Sequence, residues 1–349
     1  MRVRSRHRRV ARIRVLVAIL LVPPIGSATL IAQVADESHE YRYVMGTSVQ
    51  VQAFGGDEST RRTAIDEAFA AFAEVDRLMS NYRDDSELAL VNRRAARGAV
   101  SVSDPMFGVL DAARRVSSAS NGAFDITVGP LVRLWGFHDK TAHVPTDADL
   151  ATVRPLVDYR NVILDADHRT VRFARAGVEL DLGGIAKGFA VEVAADVLRR
   201  RGLTGFIDAG GNQYLLGTPP GKRAWNVGIK NPDVRDQVMG VVETGEISVS
   251  TSADYYNFLV ANDRKYGHIL DPRTLEPATE SLSVTILSRD GTLADAMSKA
   301  AFILGPKRGL ALVDSVPGMS AVIAYRKADG SVGVAVSERL ARSYRPASR

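Results

Sequence analysis

The sequence predicts a mixed α+β domain of layered strands and helices. Three observations lead to this class. From about Glu40 onward, strand-like and helix-like segments alternate, with no long low-complexity linker and no repeat. The 349 residues, 46% hydrophobic and 24% charged, suffice for one large core or two closely joined ones, and exclude a disordered chain or a multi-span membrane protein. Neither a G-x-G-x-x-G fingerprint nor a Walker loop occurs, so an ordinary nucleotide-binding fold is not supported.

The elements follow in order. Residues 1–14 carry seven Arg and no acid, and Val15–Ala35 is a 21-residue stretch without charge. That pairing predicts a signal peptide or an N-terminal membrane anchor over 1–35, with Gly26-Ser27-Ala28 offering small residues for cleavage. Pro23-Pro24 weakens a continuous spanning helix, and the Arg cluster orients the remainder, 36–349, outside the cytoplasm in either case. Thr60–Ser80 places Ala64, Ile65, Ala68, Phe69, Phe72, Val75 and Met79 on one helical face. Ser103-Asp104-Pro105 reads as the capped start of a helix that stops at Asn121-Gly122. Val178–Leu182 is expected as a short strand, Gly183-Gly184 as a turn, and Ile185–Arg201 as a helix closed by Gly202. Ser281–Leu287 is expected as a strand and Thr292–Leu304 as a helix ending at Gly305-Pro306. Ser320–Tyr325 and Ser331–Ser337 flank Asp329-Gly330, a hairpin signal.

Composition narrows the chemistry. The chain has no Cys, which excludes disulfides, thiolate metal sites and a Cys nucleophile. The formal charge of +5 belongs to the leader, since removing its seven Arg from 45 basic residues leaves 38 against 40 acidic ones. The folded part therefore gives no charge signal for a nucleic-acid partner.

Three segments carry candidate chemistry. In Asp181-Leu182-Gly183-Gly184-Ile185-Ala186-Lys187-Gly188, two Gly lead into a helix bearing Lys187 on its first turn. Amide donors at a helix start favour an anion, and glycine lets a phosphate approach the backbone, although Gly-Gly also serves as a plain tight turn. In His268-Ile269-Leu270-Asp271-Pro272, a His and an acid three residues apart can meet at one site, with His the usual proton carrier near neutral pH. On the third, a helix, Asp295 and Lys299 stand at i and i+4. They form either a solvated ion pair or, on a functional reading, a carboxylate for a hard cation.

The order and wording of these segments resemble the FAD:protein FMN transferase family, the ApbE-type flavin transferases. The resemblance runs through Met45-Gly46-Thr47, Ser80-Asn81-Tyr82, Asp85-Ser86-Glu87-Leu88, Gly122–Leu131, Leu134-Trp135-Gly136-Phe137, Asp181–Gly188, Ala209-Gly210-Gly211-Asn212, Ser250-Thr251-Ser252, His268–Pro272 and Ala294-Asp295. It covers about residues 43–305. The family implies an FAD site between subdomains. It also implies transfer of the FMN half of FAD, with Mg²⁺, to a Thr or Ser hydroxyl of an acceptor protein, releasing AMP. By this resemblance Met45, Tyr82, Ala123, Phe124 and Asp125 line the flavin or adenine, and Asp181 and Lys187 contact the cofactor. Gly184 offers a carbonyl to the metal, and His268 with Asp271 supplies the proposed base and its orienting acid.

One position departs from the family pattern, which has Thr four residues after Asp295 as a second metal ligand. Here Lys299 stands there, and an ammonium cannot coordinate a cation. Either Lys299 reaches the pyrophosphate and replaces part of the metal's charge, or it points aside while Ser298 or water fills the ligand position. The alternatives to transfer are a metal-dependent FAD pyrophosphatase giving FMN and AMP, and a non-catalytic flavin-binding protein outside the cytoplasm. The implied partners are FAD and an exported or membrane acceptor, with membrane contact only through the N-terminal segment and a periplasmic location.

Overall fold

One large antiparallel sheet organises the protein. The computed structural model describes residues 36–137, 141, 143–234, 236–254, 258–261 and 264–347, so the expected leader over 1–35 lies outside the described residues. The sheet's eight strands are β1 (Glu37–Val44), β2 (Thr47–Phe54), β3 (Thr204–Ala209), β4 (Asn212–Leu216), β5 (Ile247–Ala253), β6 (Ser283–Ser288), β7 (Ser320–Arg326) and β8 (Val332–Val336). They lie side by side in chain order, each antiparallel to its neighbour.

Three long helices pack on one face, α1 (Glu58–Met79), α3 (Ala186–Arg200) and α4 (Gly291–Asp314), and α2 (Asp104–Ala119) packs against α4. The opposite face is covered by a smaller sheet of Trp225–Lys230, Val238–Thr244 and Tyr344–Pro346. Residues of β5 alternate between these layers. Val249 joins the core beneath the small sheet, while Ser248, Ser250 and Ser252 are buried on the other side, with Ser250 and Ser252 bonded to Ser298 of α4. A third cluster, built on Leu131, Trp135, Leu150 and Leu275, braces the segment that carries His268, and Trp135 Nε1 donates to the Leu275 carbonyl at 3.0 Å.

Most elements follow from local chemistry. The expected apolar face of α1 is buried, and Asp57 caps its start by accepting from the Thr60 amide at 2.7 Å. Ser103 caps α2 with Pro105 in the first turn, and Gly202, at φ 70°, follows the end of α3. The β7–β8 hairpin forms around Asp329-Gly330.

One expectation is corrected. Val178–Leu182 is not a strand. Its backbone is satisfied elsewhere: Asn92 accepts from the Leu180 amide at 2.8 Å and donates to its carbonyl at 3.0 Å, and the Asp181 amide donates to Ile126 O at 2.7 Å. With those groups taken, no ladder neighbour is needed. The helix expected over Thr292–Leu304 does end at Gly305-Pro306: Gly305 adopts φ 78°, ψ −178°, a region open essentially to glycine alone, and a second helical stretch follows beyond the kink to Asp314. Among the described residues, no helix is long and apolar enough to cross a membrane.

Candidate active site

The site opens at one end of the large sheet. Two tight hairpin turns project there, Met45-Gly46 between β1 and β2 and Gly210-Gly211 between β3 and β4, and all four residues have positive φ. Such turns match the twist of the strands they join and select Gly where the backbone is left-handed. With the end of β5, the start of β6, the beginning of α3 and the His268 segment, they enclose a cleft of roughly 1570 Å³.

One part of this cleft is built around Gly183-Gly184. Asp181 Oδ1 accepts from the Gly183 amide at 2.7 Å and shapes the turn, and Lys187 Nζ reaches back to the Gly183 carbonyl at 2.9 Å. No local side chain caps α3, whose N-cap position is Ile185. Instead Asp295, from α4, accepts from the Gly188 amide at 2.9 Å and caps the helix from outside. This contact requires backbones to touch. A Cβ on Gly188 would stand 2.5 Å from Asp295 Cβ and run into the Gly291 carbonyl oxygen.

Asp295 is fully buried, and its second oxygen holds the Lys299 ammonium. Burial lowers the pKa of Lys299, the charge of Lys187 lowers it further, and Asp295 opposes both. The stem of Lys299 runs past Gly184, whose Cβ position would lie 3.9 Å from Lys299 Cγ and Cδ, and the residue lines the cleft. Ser298 lies inside: its hydroxyl donates to the Asp295 carbonyl at 2.7 Å and accepts from Ser252 at 2.7 Å. The fold thus brings Gly184, Lys187 and Lys299 to the cleft, and places Asp295 and Ser298 beneath it.

The apolar wall comes from Met45, Ala123, Phe124 and Val128, with Tyr82 at the rim, 71% exposed. Asp125 also borders the cleft, but its carboxylate is spent on the fold. It accepts from the Thr127 amide and hydroxyl, both at 2.7 Å, and from the Tyr159 amide at 2.6 Å. Burial raises its pKa from 3.8 to about 6, against the pull of those donors. His268 and Pro272 line the cleft from the opposite segment. Asp271, buried behind them, is gripped by Arg273 in a two-pronged pair at 2.9 and 2.7 Å.

Several cleft residues escape sequence reading. Asp208 accepts from the Gly211 amide at 3.1 Å and from Gln213 Nε2 at 2.7 Å, so it steadies the glycine hairpin. Thr251, part of the Ser250-Thr251-Ser252 segment, pairs with Thr285 at 3.0 Å across β5 and β6 on the cleft floor. Asp208 is signalled only by its place two residues before Gly-Gly, and the Thr285 partner depends on strand register. Arg273 stands two residues from Asp271, but nothing in its type marks it as the partner.

The chain matches the model of the ApbE family over residues 45–323. It belongs to that family. The FAD:protein FMN transferase of Treponema pallidum is 33% identical over 342 residues, 93% of this chain and 94% of the relative. That of Vibrio cholerae is 31% identical over 290 residues, 80% of this chain and 85% of the relative. Among solved structures, the ApbE protein of Thermotoga maritima superposes with a TM-score of 0.80 at 30% identity, covering 88% of this chain and 99% of its own. The flavin transferase ApbE of Vibrio cholerae gives 0.79 at 29% identity, covering 88% and 98%. The mixed fold described above is therefore the ApbE fold.

Proposed function

We propose that this ApbE-family protein transfers the FMN half of FAD to a Thr or Ser hydroxyl of an acceptor protein, releasing AMP. The observation that carries the reading is the cleft itself. A glycine turn flanked by Lys187 and Lys299 adjoins an apolar wall of Met45, Ala123 and Phe124, which suits an anionic bridge beside flat rings. Relatives bearing the transferase name support it across nearly the whole chain.

In the reaction, the acceptor oxygen bonds to the FMN phosphorus, the bond from that phosphorus to the bridging oxygen breaks, and AMP departs with the bridge oxygen. The acceptor proton goes to a base. His268, on the cleft wall, is the candidate, and such a base is commonly worth about 10²–10⁴-fold. Asp271 acts with Arg273 to fix the turn after His268 rather than standing free in the cleft. Lys187 and Lys299 hold the anionic bridge and the leaving phosphate.

The Mg²⁺ implied by the family resemblance does not suit the donors present. Of Gly184, Asp295 and Ser298, the carboxylate is occupied by an ammonium and a backbone amide, and the buried hydroxyl is already bonded to the Asp295 carbonyl and to Ser252. Among the described residues, no group of three or more His, Asp or Glu could hold a metal.

The Arg-rich and apolar segment over 1–35 supports action outside the cytoplasm, on an exported or membrane acceptor. Incubation with FAD and a Thr-bearing acceptor tests the reaction. Flavin fluorescence that stays on the acceptor band in a denaturing gel, with stoichiometric AMP, is expected. Free FMN and AMP without a labelled band would instead establish the pyrophosphatase, and FAD binding without AMP release a flavin carrier.

A further inference from the structure

We propose that Lys299 is a built-in cation that grips the diphosphate of FAD from across the glycine turn, opposite Lys187, so that this protein binds the dinucleotide without a divalent metal. The inference rests on the flavin reading above and names the residue that sets its metal requirement.

Three observations carry it. First, both oxygens of Asp295 are already engaged. It is fully buried, with one oxygen on Lys299 Nζ and the other on the Gly188 amide at 2.9 Å. A divalent ion placed there must displace the ammonium from its carboxylate or sit beside it, positive charge next to positive charge. Second, Ser298, the neighbouring oxygen donor, is fully buried, with its hydroxyl bonded to Ser252, Ser250 and the Asp295 carbonyl. Third, Lys299 does not withdraw into the core with its partner. Its side chain keeps 20% of its surface exposed and borders the cleft beside Gly184, while Lys187 holds the far side of the same turn through Gly183 O at 2.9 Å.

The physical logic is one of tethering. A bound metal supplies positive charge only after it has been captured from solution. A lysine anchored by a buried carboxylate carries part of that charge on the chain itself, and the backbone contact of α3 with α4 fixes its position. Asp181 is the other acid at this turn, and its Oδ1 is occupied by the Gly183 amide at 2.7 Å.

Equilibrium FAD binding to the full-length protein, followed by flavin fluorescence quenching in excess EDTA or in Mg²⁺, tests the proposal. The parent is expected to bind with affinities that agree within about threefold in the two conditions. Lys299→Thr should lose roughly 10–100-fold in EDTA, the worth of a charge-assisted hydrogen bond, and recover with Mg²⁺ because Asp295 is then free for a cation. Lys299→Arg, which keeps the charge and guards against a mere folding defect, should still bind in EDTA. Parent protein that binds FAD only when Mg²⁺ is present overturns the proposal and leaves the flavin reading intact. So does Lys299→Thr binding in EDTA as tightly as the parent. ADP serves as the second probe: ADP binding without FAD binding removes the flavin reading but keeps the clamp, and failure to bind either removes both.

Discussion

Burial holds the Asp125 carboxyl near pKa 6, so the folded protein keeps that proton to higher pH than the unfolded chain does. Between about pH 4 and 6 the native state therefore binds more protons, and this residue's contribution to stability falls as pH rises through the window. A rise from 3.8 to about 6 corresponds to about 3 kcal/mol at most. Urea midpoints measured from pH 4 to 7 should show this decline in the parent and lose it in Asp125→Asn; equal slopes would refute the assignment. Replacing Asp295 by Ala should cost about 3–5 kcal/mol, because it strands a half-buried ammonium and uncaps α3 together. Chemical denaturation checks that value. His268→Ala should lower turnover by about 10²–10⁴-fold with little change in FAD affinity, as steady-state kinetics and binding can separate. At this scale the sequence was informative about residue type and poor about role. Asp295 and Lys299 are legible as neighbours because i and i+4 share a helix face. That the same carboxylate also caps another helix depends on a contact 107 positions away.

Helices and turns were the most readable level. Ser103 with Pro105, Asp57, Gly202 and Asp329-Gly330 mark their boundaries by chemistry that acts within four residues. The failure has a distant partner overriding a local signal as its cause. Val178–Leu182 has strand composition, yet the Asn92 side chain takes the groups a ladder would use. Gly305-Pro306, by contrast, acts as the stop its residue types predict, and a separate helical stretch follows the kink. The joint of α3 with α4 yields a prediction at the same level. Gly188→Ala forces a methyl against the Gly291 carbonyl and Asp295, so the helices must part. Such overpacking should cost about 1–3 kcal/mol or more in thermal or urea unfolding. Because the shift moves Asp295, Lys187 and the glycine turn together, FAD affinity should fall as well; a variant that binds FAD normally would show that the joint is not part of the site.

The whole molecule is a sheet whose ends are not equivalent. Met45-Gly46, Gly210-Gly211, Gly183-Gly184 and His268 are spread over more than 220 positions and converge only because the strands lie in chain order and the turns alternate between ends. Location belongs to this scale too. With residues 1–35 present, the protein should fractionate outside the cytoplasm, and deletion of that segment should leave it inside, as protease accessibility in intact cells reports. The sequence by itself determined the class of fold, the capped helices, the hairpins and the set of residue types available for an anionic, flat-ringed ligand. These follow from propensity, periodicity and charge, which act over a few residues. Only the tertiary structure decided that Asp295 is buried and fully engaged, that Ser298 turns inward, that Asp271 pairs with Arg273 and that Lys299 borders the cleft. Those outcomes rest on which backbones approach closely enough for a carboxylate or hydroxyl to find its partner, and such approaches are set by packing between segments far apart in the chain.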